Sequence, residues 1–72
     1  MKAVMIRDIS ERELFLGKTD YVILQDGQTV QIIDRQTTGT EDSPMECYAV
    51  KINPALGRPY VWVNATDLRI VA

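Results

Sequence analysis

The sequence predicts one small, mostly β domain of five to six short antiparallel strands with two brief helical turns. Three observations carry that reading. β-prone runs at residues 21–25 and 28–33 flank the turn dipeptide Asp26-Gly27. Apolar and polar residues alternate along residues 47–52 and 60–63. The helical signals are confined to a capping sequence at Ser10 and a short turn after Asn64. With 72 residues the chain is expected to form a single domain over 1–72.

Residues 2–7 read K-A-V-M-I-R, an apolar and partly β-branched run bounded by charges, which predicts a first strand. Ser10-Glu11-Arg12-Glu13 has the S-x-x-E spacing of a capping box, in which Ser10 accepts from the Glu13 amide and Glu13 reaches back. Leu14, Phe15 and Leu16 follow, and Gly17 is suited to the left-handed conformation that ends a helix, so a short helical turn is expected over 11–16. Around Asp26-Gly27 a β-hairpin is expected. A two-residue turn would pair Ile23 with Val30, whereas a bulged turn pairs Val22 with Val30. The bulged form is preferred because it sets Val22, Leu24, Val30 and Ile32 on one face.

Residues 37–44, T-T-G-T-E-D-S-P, contain no large apolar side chain and predict an exposed loop. The next strand, 47–52, puts Tyr48, Val50 and Ile52 on one face and Cys47, Ala49 and Lys51 on the other. Two prolines and a glycine within 53–59 predict a turn without ladder pairing. Along 60–63, Val61 and Val63 point to the core and Tyr60 and Trp62 to the other side. Asn64 then caps a one-turn helix near 65–68, and 68–71 is the closing strand.

Composition narrows the function classes. Cys47 is the only cysteine, so an intrachain disulfide is excluded and a reducing compartment is expected. The chain has no histidine, which leaves structural zinc without its usual ligand sets and removes the commonest proton-transfer side chain. No cofactor, metal or small-molecule substrate is indicated. A net charge of −2, with eight scattered Lys and Arg residues, disfavours nucleic acid. No run approaches the roughly 20 apolar residues of a membrane span, and residues 1–6 are too short for a signal peptide's apolar region. The expected location is the cytoplasm. A domain this small buries only about 60% of its unfolded surface, so a protein partner or its own copies are expected to add stability.

Several candidate groups have ordinary explanations. Glu41, Asp42 and Glu46 lack the ligand spacing of a calcium loop and read as a solvated cluster. Cys47, next to Glu46, reads as an inert packing residue. Glu11, Glu13 and Asp20 read as capping and surface residues, and isolated glycines make no phosphate-cradling loop. The aromatic residues are the better lead. Arg58, Tyr60 and Trp62 occupy alternate positions of an extended segment and so share a side, with Tyr48 as a neighbour. Arginine and aromatics are enriched at protein interfaces, so these four residues are the expected partner-binding surface. Trp62 has two readings, exposed on that surface or closing one end of the core.

The order of hairpin, polar loop, strand, turn, strand, one-turn helix and terminal strand resembles the SH3-like small barrels over roughly residues 20–72. The stretch Tyr60-Val61-Trp62-Val63-Asn64-Ala65-Thr66-Asp67-Leu68-Arg69-Ile70-Val71 looks like the late strand, helical turn and closing strand of that fold. Proline-peptide-binding members carry an aromatic and acidic pattern in their first long loop that residues 11–19 do not reproduce. The tail is also similar to that of the type II dihydrofolate reductases. Their substrate strand reads V-Q-I-Y, where this chain has Tyr60-Val61-Trp62-Val63, and Val30-Gln31-Ile32-Ile33 falls in a different strand. The resemblance implies a non-catalytic protein-interaction or self-assembly module, with the accessory proteins of mobile elements as one setting. The alternatives are a nucleic-acid-binding small barrel and a barrel-pore enzyme.

Overall fold

Alternating strands dominate the computed structural model, which describes residues 1–71. Five of them form an antiparallel sheet: β1 (Lys2–Met5), β4 (Thr29–Gly39), β5 (Pro44–Lys51), β6 (Tyr60–Asn64) and β7 (Leu68–Ile70), in the order β6-β5-β4-β1-β7. A separate ribbon pairs β2 (Ile9–Ser10) with β3 (Val22–Leu24). One α-helix, α1 (Glu11–Phe15), follows β2, and 3-10 turns lie at Pro54–Leu56 and Ala65–Asp67. The mostly β expectation and both expected helical turns are therefore present.

Pleating decides the core. The inward residues of the sheet are Ala3, Met5, Val30, Ile32, Tyr48, Val50, Val61, Val63 and Leu68, all buried, and Ile9 and Leu24 of the ribbon reach into the same cluster. Leu14 and Phe15 of α1 pack against it while remaining partly exposed. The ribbon and helix thus cover the inner face of the sheet, the second layer that a half-apolar sheet requires. β1 lies inside the sheet because both of its neighbours are long-range, Ala3 standing opposite Val30 on one side and Ile70 on the other.

Asp26-Gly27 makes a turn but not the expected hairpin. The Gln28 amide donates to the Gln25 carbonyl at 3.0 Å, and Gly27 is left-handed at φ 84° while Asp26 is not. A left-handed residue at the third position alone is the type II pattern, whose twist splays the flanking strands instead of pairing them. β3 accordingly turns to β2, with Ile9 opposite Leu24, and β4 turns to β1. Neither Ile23 nor Val22 pairs with Val30.

Half of the expected loop over 37–44 is strand. β4 and β5 continue past the end of β6 as a two-stranded arm with Thr37 opposite Glu46 and Gly39 opposite Pro44, leaving only residues 40–43 as the tip. The residues from Ile33 to Glu46 are exposed, so the arm gains ladder bonds without burying side chains. Nearer the core a bulge between Ile32 and Asp34 leaves Ile33 half-exposed. Smaller corrections concern caps. Ser10 Oγ accepts from the Glu13 amide at 3.3 Å, but Glu13 turns to Arg7 instead of back to the helix start. The residue that ends α1 in the left-handed region is Leu16, at φ 55°, not Gly17. Asn64 makes no side-chain cap; its Oδ1 accepts from the Cys47 thiol at 3.6 Å.

Candidate functional site

β6 is the last strand of the main sheet, paired with β5 on one side only. Val61 and Val63 face the core, and Tyr60 and Trp62 face outward, 40% and 39% exposed. The two rings meet edge to face with centroids 6.2 Å apart, an arrangement favoured by ring quadrupoles. Of the two readings of Trp62, the exposed one holds. Beneath the pair, Ala49 is fully buried although it lies on the outer face, because Trp62 stands directly opposite it.

The free side of β6 looks toward α1. A cavity of about 480 Å³ between them is lined by Leu14, Arg58, Pro59, Tyr60, Val61 and Trp62. A second cavity of about 220 Å³ continues past Trp62 and Leu14 to Val63 and Asn64, ending at Arg7, Glu13 and Asp67. Together they form one groove along the strand, with Leu14 and Trp62 at its middle.

The two ends differ in charge. At one end the Arg58 guanidinium carbon lies 4.7 Å from the centroid of the Phe15 ring, within cation–π range, and Arg58 has no ion pair among the described residues. At the other end Arg7 is held between two carboxylates. Its Nε donates to Asp67 at 2.8 Å and its Nη2 lies 2.9 Å from Glu13. The hydrogen bonds that Arg7 donates, first to Asp67 and then to Glu13, hold its guanidinium above its usual range. Asp67 is the one buried charged residue among those described, and Arg7 satisfies it from sixty positions away.

No family model, curated protein or solved structure matches the chain. The site therefore stands on its own geometry.

Of the expected surface residues, Arg58, Tyr60 and Trp62 come together on the groove, and Tyr48 does not. Tyr48 is 8% exposed and sits in the core on the opposite face, because alternation along β5 puts it beside Val63 and not beside Trp62. The groove adds residues that local reading missed. Leu14 was legible as an apolar helix residue, but nothing in sequence placed α1 against β6. Arg7 and Asp67 carry no short-range motif at all. The acidic group at the arm does not converge: Glu46 is engaged by Arg35 at 3.4 Å, and no group of three or more metal-ligating side chains is gathered among the described residues. No described helix is long and apolar enough to cross a membrane.

Proposed function

We propose that the chain is an SH3-like small barrel acting as a non-catalytic protein-interaction module, whose binding surface is the β6 edge with Arg58, Tyr60 and Trp62. The observation that carries this reading is an aromatic pair left exposed on an edge strand that borders a groove. Edge strands are normally blunted by charge, brevity or a bulge. β7, at the other end of the sheet, has three residues and carries Arg69, and the arm carries Glu46 beside its tip. β6 has five residues, none of them charged, and no register shift. A long excursion carrying a ribbon, a three-stranded meander, a one-turn helix and a closing strand beside the first supports the barrel reading.

Absence of histidine supports a non-catalytic role. A nucleic-acid partner is disfavoured by the net charge of −2 and by the engagement of Arg7, Arg12 and Arg35 with carboxylates. The partner is a protein chain, its own copies included. Trp62→Ala tests the surface. The β spectrum is expected to stay intact, because the ring lies outside the core, while partner affinity or native solution mass falls. Unfolding on this substitution would place Trp62 among the core residues and end the proposal.

A further inference from the structure

Along an edge strand of an antiparallel sheet, successive residues turn their backbone N–H and C=O groups alternately toward the neighbour and away from it. The Ile52 amide donates to the Pro59 carbonyl at 3.2 Å, and this sets the phase of β6. Val61 and Val63 turn their backbone groups toward Val50 and Tyr48, while Tyr60 and Trp62, and the amide of Asn64, turn theirs to the open side. No hydrogen bond among the described residues reaches those outward groups of Tyr60 and Trp62 or the Asn64 amide. Every residue of β6 also lines one of the two cavities. Side chains alternate between the faces of a strand, so a groove touched by consecutive residues looks onto the strand edge and not onto one face.

We infer that the groove receives an extended segment of a partner protein as an added strand, antiparallel to β6, with a basic residue toward its N-terminus and an acidic residue toward its C-terminus. The inference rests on the interaction reading above and adds the chemistry and direction of the partner. Direction follows from charge. β6 starts beside Arg58, which has no ion pair among the described residues, and ends beside Arg7, Glu13 and Asp67, where two carboxylates outnumber one guanidinium. Antiparallel pairing is the more stable mode, and it runs the segment from the acidic end of the groove to Arg58. Apolar side chains of the segment then lie over Leu14 and Trp62. Affinity comes chiefly from the backbone bonds, and the charged ends fix the register. A second copy offering its own β6 fits less well, because each copy carries α1 beside the strand and a two-fold axis brings both helices to the same side of the seam.

The test uses the full chain with isotope-labelled amides and a synthetic peptide of alternating valine and threonine, with lysine first and glutamate last. In the free chain the amides of Tyr60, Trp62 and Asn64 are expected to exchange fast and those of Val61 and Val63 slowly. Saturation with peptide should slow the three fast amides by about tenfold or more, and N-methylation of the peptide groups that face β6 should weaken binding about tenfold or more. Exchanging the peptide's lysine and glutamate should weaken it several-fold. No binding at millimolar peptide, equal binding of the N-methylated peptide, or slow exchange of Tyr60 and Trp62 in the free monomer would each overturn the inference. Protection of these amides in a species of twice the chain mass would show a second copy on the edge, overturning the peptide assignment while leaving the interaction module standing. A partner lost with Trp62→Ala but bound with the edge amides still unprotected would do the same.

Discussion

Arg7 and Asp67 form an asymmetric pair, and the asymmetry sets the effects of substituting them. The Asp67 side chain is 12% exposed, whereas that of Arg7 is 47% exposed and holds Glu13 as well. Arg7→Met removes both donors from a carboxylate that has little access to water. Discounted for the half-exposed arginine, this should cost about 2–3 kcal/mol. Asp67→Asn retains an acceptor for Nε and leaves Arg7 with Glu13 and solvent, for a cost of about 1 kcal/mol. Glu13→Gln breaks only the outer pair and should cost at most about 0.5–1 kcal/mol. A domain of this length has roughly 4–11 kcal/mol of stability in all, so loss of Arg7 takes a substantial share. Urea unfolding followed by far-ultraviolet circular dichroism reads the order directly. With a slope of about 1 kcal/mol per molar, Arg7→Met should lower the midpoint by about 2–3 M and Asp67→Asn by about 1 M. The folded arginine's pKa is raised, so its contribution is complete below the unfolded value and is lost only as pH climbs through the folded one. The arginine itself therefore brings no pH dependence near neutrality. If Asp67→Asn costs as much as Arg7→Met, or Glu13→Gln does, the argument from unequal burial is refuted.

Further outcomes follow from burial and backbone conformation. Leu24 is almost fully buried where the ribbon meets the sheet, so Leu24→Ala should cost about 2–5 kcal/mol, with a matching fall in thermal midpoint. Leu16 is left-handed and 91% exposed, so Leu16→Asn should stabilise by about 0.5–1 kcal/mol in urea titrations. Gly39 has φ 89°, and a Cβ there would press on the Ser43 carbonyl. Gly39→Ala should therefore accelerate amide exchange across the arm while leaving that of Ala3 and Val50 unchanged.

What could be read from sequence was whatever burial writes into short-range periodicity. Tyr48, Val50 and Ile52, then Val61 and Val63, alternate because one face of β5 and β6 is core, and the strands appeared where expected. Residues 34–39 and 44–46 pair without being buried, so threonines and acids stand on both faces and leave no alternation to detect. Asp26-Gly27 was a correct turn signal with an incorrect consequence. The partner of β3 is the two-residue β2, too short to announce itself, and the choice between hairpin and splayed turn depended on which residue took the positive φ. The site divides in the same way. Arg58, Tyr60 and Trp62 share a side because they are two apart in an extended segment. Their groove depends on α1 being folded across to the far edge of the sheet, and its charged end on a contact between Arg7 and Asp67, both set by tertiary structure.

Because the arm stands clear of the core, its length and composition are decoupled from the rest of the fold. Removing or adding two residues on each strand preserves the pleat phase, and no buried side chain changes its environment. The tip at 40–43 is thus a natural insertion point for a label or a foreign epitope, held at the end of the arm and lining neither cavity beside β6. A selection for new binding loops at that tip would work on a scaffold whose β6 edge is left untouched.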